Sequence, residues 1–112
     1  METLLRGHVT KNARYFVDGD GRGLISYHTK VLIIKDGVLF CTGLYSATTR
    51  RHIGWWLAEY CPKFTYHDIK QLYLDNMAVN IYTGEVMPLT TKQKRIVREE
   101  SEMAHGNSWN IW

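Results

Sequence analysis

The chain reads as an α+β domain: a small antiparallel sheet of two hairpins packed against one or two helices, with a charged C-terminal helix and an aromatic tail. Three observations predict it. Two Val/Ile/Leu-rich runs flank Asp36-Gly37, the strongest short hairpin signal in the sequence. Ile53, Trp56, Leu57 and Tyr60 recur at helical spacing behind a cluster of hydroxyl residues. AVNIYTGEVMPL, residues 78–89, returns to strand character around Thr83-Gly84. Hairpin, helix, helix, hairpin, helix is an order that segregates helices onto an antiparallel sheet.

Each element has its own justification. Residues 1–23 form a leading segment that ends in VDGDGRG, whose glycines and aspartates favour a turn. DGDGRG resembles the start of an EF-hand loop, but the later glutamate and the flanking helices are missing, so a calcium site is not expected. Residues 24–89 form the core. With a two-residue turn at Asp36-Gly37, Ile34 faces Leu39, Ile33 faces Phe40 and Leu32 faces Cys41. Both faces of that hairpin are then apolar, and each needs a cover: a helix, another strand or a second subunit, so a homodimer is one expected arrangement. Ser46, Thr48 and Thr49 are each suited to cap a helix running to Tyr60, which Cys61-Pro62 stops. Thr65 and Asp68 make a capping box for a second helix carrying Ile69, Leu72 and Tyr73. Pro88 marks a sheet edge or strand end. Residues 90–112 hold the charged helix, from Thr91, and the tail GNSWNIW.

Length and charge narrow the function. With 112 residues there is room for one core. The apolar fraction of 45% and charged fraction of 22% are those of an ordinary globular chain. A formal net charge of +3 falls short of a dedicated nucleic-acid binder. Cys41 and Cys61 form no CxxC pair and read as buried free thiols of a reducing compartment. METLLRGHVTKNARYF lacks the apolar stretch of a secretory leader, and no apolar run reaches membrane-spanning length, so a cytoplasmic protein without a membrane partner is expected. No histidine pair has metal-ligand spacing. No nucleophile elbow, P-loop or zinc-protease motif occurs, so neither an enzyme, nor a metal, nor a cofactor is expected.

The best chemical candidate is the helix start. Ser46, Thr48, Thr49, Arg50, Arg51 and His52 place hydroxyls and cations beside orphan backbone amides, where anions bind. Adjacent arginines are locally unfavourable at a helix N-terminus, by about 0.3–1 kcal/mol, and an anionic partner would offset that. Trp55 lies off the apolar stripe beside Arg51, a combination common at interface hot spots. Lys92, Lys94 and Arg95, with Trp109 and Trp112 of the tail, form a secondary contact set. The cluster KQKR is offset by the REESE that follows.

ISYHT, residues 25–29, and YSATTRRHI, residues 45–53, resemble a small family of uncharacterised proteins encoded mainly by bacteriophages. Its pattern is a Ser-Tyr-x-Thr strand, a hairpin, then a Tyr-Ser-x-Thr-Thr-x-x-His-Ile helix start, and the resemblance covers residues 24–60. It implies an accessory phage product acting in the cytoplasm of a bacterial host, by binding and blocking a host or anti-phage defence protein. Nucleic-acid binding through Arg50, Arg51 and residues 92–98 is the alternative. A nucleotide or second-messenger binder using the helix start ranks below it.

Overall fold

The computed structural model describes residues 2–4 and 12–106 along the backbone. The protein has an α+β fold. Strand β1 (Glu2–Leu4) pairs with β2 (Ala13–Asp18), which turns through Gly19-Asp20 into β3 (Gly21–Ser26). A second turn, at Tyr27-His28, splits the Ser-Tyr-x-Thr stretch expected as one strand, because Tyr27 takes a left-handed φ of 59°, and leads to β4 (Thr29–Lys35); Asp36-Gly37 joins β4 to β5 (Val38–Cys41). The chain then leaves the sheet for α1 (Ala47–Tyr60) and α2 (Tyr66–Leu74). It returns as β6 (Met77–Asn80) and β7 (Val86–Pro88) and closes with α3 (Thr91–Gly106). The strands lie side by side in chain order, each antiparallel to its neighbours.

The Asp36-Gly37 hairpin has the expected register: Ile34 opposite Leu39, Ile33 opposite Phe40, Leu32 opposite Cys41. Positive φ at both turn residues, 53° and 78°, is the type I′ geometry that matches strand twist. Its two apolar faces are both covered within one chain. On one face Leu24, Leu32, Ile34 and Leu39 pack under α1 and α2 through Ile53, Trp56, Leu57, Ile69 and Leu72. On the other, Phe16, Ile25, Ile33 and Phe40 pack under α3 through Ile96 and Val97. Each fully buried aliphatic or aromatic side chain contributes about 1.5–3 kcal/mol.

The sheet extends beyond the two expected hairpins, because residues 13–18 and 21–23, expected as leading segment and turn, are strand. Ala13 and Phe16 are buried, and only Gly19-Asp20 turns. Val17 and Asp18 finish β2, while Gly21, Arg22 and Gly23 open β3. Gly23 is there for close approach: a Cβ would collide with the Leu32 carbonyl. The indole N–H of Trp56 donates to the Gly23 carbonyl at 3.1 Å, so β3 also ties α1 to the sheet.

Caps follow the sequence. Ser46 is the N-cap of α1, accepting from the Thr49 amide at 3.2 Å. Thr65 and Asp68 form the capping box of α2. A second box opens α3: the Gln93 amide donates to Thr90 Oγ1 at 3.1 Å and the Thr90 amide to Gln93 Oε1 at 2.9 Å.

Candidate partner-binding surface at the start of α1

The approach to α1 is built from buried polar groups. Thr42 Oγ1 donates to the Lys30 carbonyl at 2.7 Å, which makes the Tyr45 phenol the donor in its 2.9 Å contact with Thr42 Oγ1. Burial pushes the Tyr45 phenol well above its ordinary pKa, so it stays neutral. Tyr45 takes a left-handed backbone, φ 47°, which turns the chain into the helix. Nearby, Cys41 donates to the Gly43 carbonyl at 3.3 Å, and burial raises its thiol to about 12. Cys41 and Cys61 are both buried free thiols.

Ser46, Thr49 and His52 meet β3. Ser26 Oγ lies 2.7 Å from His52 Nδ1 and 3.1 Å from Thr49 Oγ1, and Ser46 Oγ donates to Thr49 Oγ1 at 3.2 Å. One direction of donation gives every recorded hydroxyl proton an acceptor: Ser46 to Thr49, Thr49 to Ser26, Ser26 to His52 Nδ1. That assignment places the ring proton of neutral His52 on Nε2. Ser26 and Thr49 are 0% exposed and His52 1%, so the serine–histidine pair has the geometry of a nucleophile and base without access to substrate. Its work is to fasten the first turn of α1 to the end of β3. Rings of Tyr27 and Trp55 flank His52 at 5.8 and 5.5 Å between centroids.

The residues singled out from sequence therefore separate by direction. Ser46 and Thr48 are half-buried, and Thr49 and His52 face inward. Arg50 and Arg51 are exposed, with no side-chain ion pair among the described residues, and the first turn carries no acidic residue. Trp55 is half-buried and packs against the core beneath α1. Lys92, Lys94 and Arg95 are exposed on α3, where Arg95 pairs with Glu99 at 3.6 Å. They lie across the sheet from α1, so the two sets do not form one surface. Trp109 and Trp112 fall outside the described residues.

Ser26 was not among the sequence candidates, although a hydroxyl in an apolar strand was the available signal. Thr49 and His52 precede Ile53 and Trp56 by one turn, so extending the apolar stripe backwards places them inside. Among the described residues, no three His, Cys, Asp or Glu side chains are grouped to hold a metal ion, and no helix is long and apolar enough to cross a membrane.

No curated protein and no solved structure matches the chain. Residues 4–72 do match a family, from the end of β1 into α2 and including both segments that meet at Ser26, Thr49 and His52. The chain belongs to that family, DUF8033, whose function is unknown.

Proposed function

We propose that this protein is a non-enzymatic binding protein, encoded by a bacteriophage and acting in the host cytoplasm, that inhibits or redirects a host or anti-phage defence complex. The observation that carries the binding surface is the pair of exposed arginines on a helix turn that buried hydrogen bonds lock to the sheet. A fixed turn holds both arginine backbones in place, leaving only their side chains to be ordered on binding, and paired guanidinium groups favour a carboxylate-rich protein surface. The half-buried Trp55 one turn along supplies an aromatic anchor beside them. The phage origin and the defence context rest on the resemblance of residues 24–60.

The protein reading is favoured over nucleic acid by the placement of cations. Arg50 and Arg51 lie on the α1 side of the sheet and Lys92 to Arg98 on the α3 side, roughly 20 Å apart through a helix layer on either face. Phosphate binding by both sets at once would need a backbone that wraps the domain.

The test is capture from host lysate followed by quantitative binding to the identified partner. Arg50→Ala with Arg51→Ala is expected to leave the melting curve within about 0.5 kcal/mol of wild type. The same variant should weaken partner binding at least about tenfold. Equal binding by variant and wild type would remove this surface. Salt-sensitive binding to mixed DNA and RNA, lost in the variant, would instead establish the nucleic-acid reading.

A further inference from the structure

The end of the molecule opposite Ser26 carries a second arrangement, about 13 Å along β3. There the last turn of α1 and the Pro62–Phe64 connection meet the β6–β7 loop across a hollow of about 300 Å³. Arg22 and Lys63 line it with the rings of Tyr60, Phe64 and Tyr82, and none of its lining residues carries a carboxylate. The two cations share this lining with the buried Cys61 thiol, which burial holds in its neutral form.

Neither cation is consumed by the fold. The Arg22 side chain has no recorded hydrogen bond or ion pair among the described residues. Lys63 Nζ makes one long contact, 3.4 Å to the Ile81 carbonyl. Compensation of the α1 C-terminus accounts for only part of this charge, because a helix end carries about half a negative charge against two full positive ones. Arg22 moreover belongs to the sheet and not to the helix.

Tyr82 is 75% exposed yet held in place. One face of its ring covers Gly37, where an added Cβ would come within 2.9 Å of a ring carbon. Its loop is ordered by Asn80, whose Oδ1 accepts from the Tyr82 and Thr83 amides at 2.9 and 3.0 Å, and by the Ile81 amide donating to Gly37. An aromatic face fixed at the rim of a cationic hollow is suited to stacking a planar ring, and guanidinium with ammonium is suited to a phosphate. The volume is at the lower end of small-molecule sites and admits one such ligand.

We propose that this hollow binds a mononucleotide, with its base stacked on Tyr82 and its phosphate held by Arg22 and Lys63. The site is separate from the α1 surface and does not depend on it. The experiment is calorimetric titration of the full chain with AMP, GMP, CMP, UMP and inorganic phosphate. At least one nucleotide should bind saturably with one site, and inorganic phosphate should bind at least about tenfold more weakly. Tyr82→Ala, an exposed position that leaves folding intact, should weaken the nucleotide about tenfold. Arg22→Gln should weaken it by a similar factor and flatten its salt dependence, with the exposed Lys63→Gln as the second variant should Arg22→Gln not fold. Absence of saturable binding at millimolar nucleotide overturns the proposal. So does unchanged binding in Tyr82→Ala, or a loss caused by Arg50→Ala with Arg51→Ala. A short oligonucleotide that binds far more tightly than its mononucleotide would also overturn it, since the hollow holds one unit.

Discussion

Ser26 occupies a strand otherwise made of glycines, aliphatic side chains and one arginine, and its single hydroxyl joins two elements that are far apart in sequence. Ser26→Ala removes the recorded acceptor of Thr49 and the donor to His52 Nδ1, leaving buried polar atoms without those partners. A loss of about 1–3 kcal/mol is expected, read from urea unfolding at unchanged slope. A cost under 0.5 kcal/mol would mean that the network is not holding α1. Gly23→Ala should be more severe, at least about 3 kcal/mol, because its obstacle is the Leu32 backbone and not a mobile side chain. Thermal melting will show either a large drop or no folded state. These inward residues were hard to see in the sequence for one reason. Hydroxyls, arginines and a histidine at a helix start look uniformly polar, and only the helical stripe sorts Thr49 and His52 from Arg50 and Arg51.

Helix α3 shows how a largely polar element is held. Ile96 and Val97 supply its apolar contact with the sheet, and the Thr90–Gln93 box closes its N-terminus. Thr90→Ala should therefore cost about 1 kcal/mol, measurable as a lower urea midpoint. A neutral result would show that the α3 start frays regardless of the box. Local signals of this kind carry most of what the sequence reveals. Asp36-Gly37 dictates a turn whose register follows by counting, and Thr65 with Asp68 dictates where α2 begins. The strands β2 and β3 were hidden because their signals conflict. Gly19, Gly21 and Gly23 look like one long turn, whereas Gly21 and Gly23 serve tight backbone packing against β4. That requirement exists only once the partner strand is in place.

At the scale of the whole molecule, the two layers are fastened by unlike means. The α1 side is fastened by a buried neutral network, the α3 side by apolar contact and one hydrogen bond from the sheet. Lys30 Nζ reaches Asp18 at 2.7 Å and Asp20 at 2.8 Å, while its own backbone amide donates to Glu100 Oε1 of α3 at 2.7 Å. Burial raises the Glu100 pKa above 4.5, despite the Lys30 bond and charge that oppose it. Its folded value is therefore the higher one, so its contribution is fully present below 4.5 and is lost as pH rises through the folded value. Asp18 has the opposite sign. Burial would raise it, but bonds from Lys30 and the Asp20 amide together with the Lys30 charge hold it below 3.8, so its contribution is lost as pH falls through the folded value. Glu100→Gln keeps an acceptor for the Lys30 amide and should gain on wild type as pH rises past 4.5, seen in urea midpoints measured across that range. A constant difference with pH would show that Glu100 is not perturbed. The chain-order sheet has one further consequence, for the order of assembly. Strands β2 to β5 are joined by two-residue turns, so the chain can add each as it emerges. The seam between β5 and β6 differs, because residues 42–76 intervene and the register there spans only Val38–Asn80 and Leu39–Val79. Closing that excursion costs on the order of 2 kcal/mol more entropy than a tight turn. The β5–β6 pairing is therefore expected to gain protection from amide exchange after the β2–β5 pairings during refolding, and simultaneous protection of both would contradict that order. The family match at residues 4–72 ends just before the same seam.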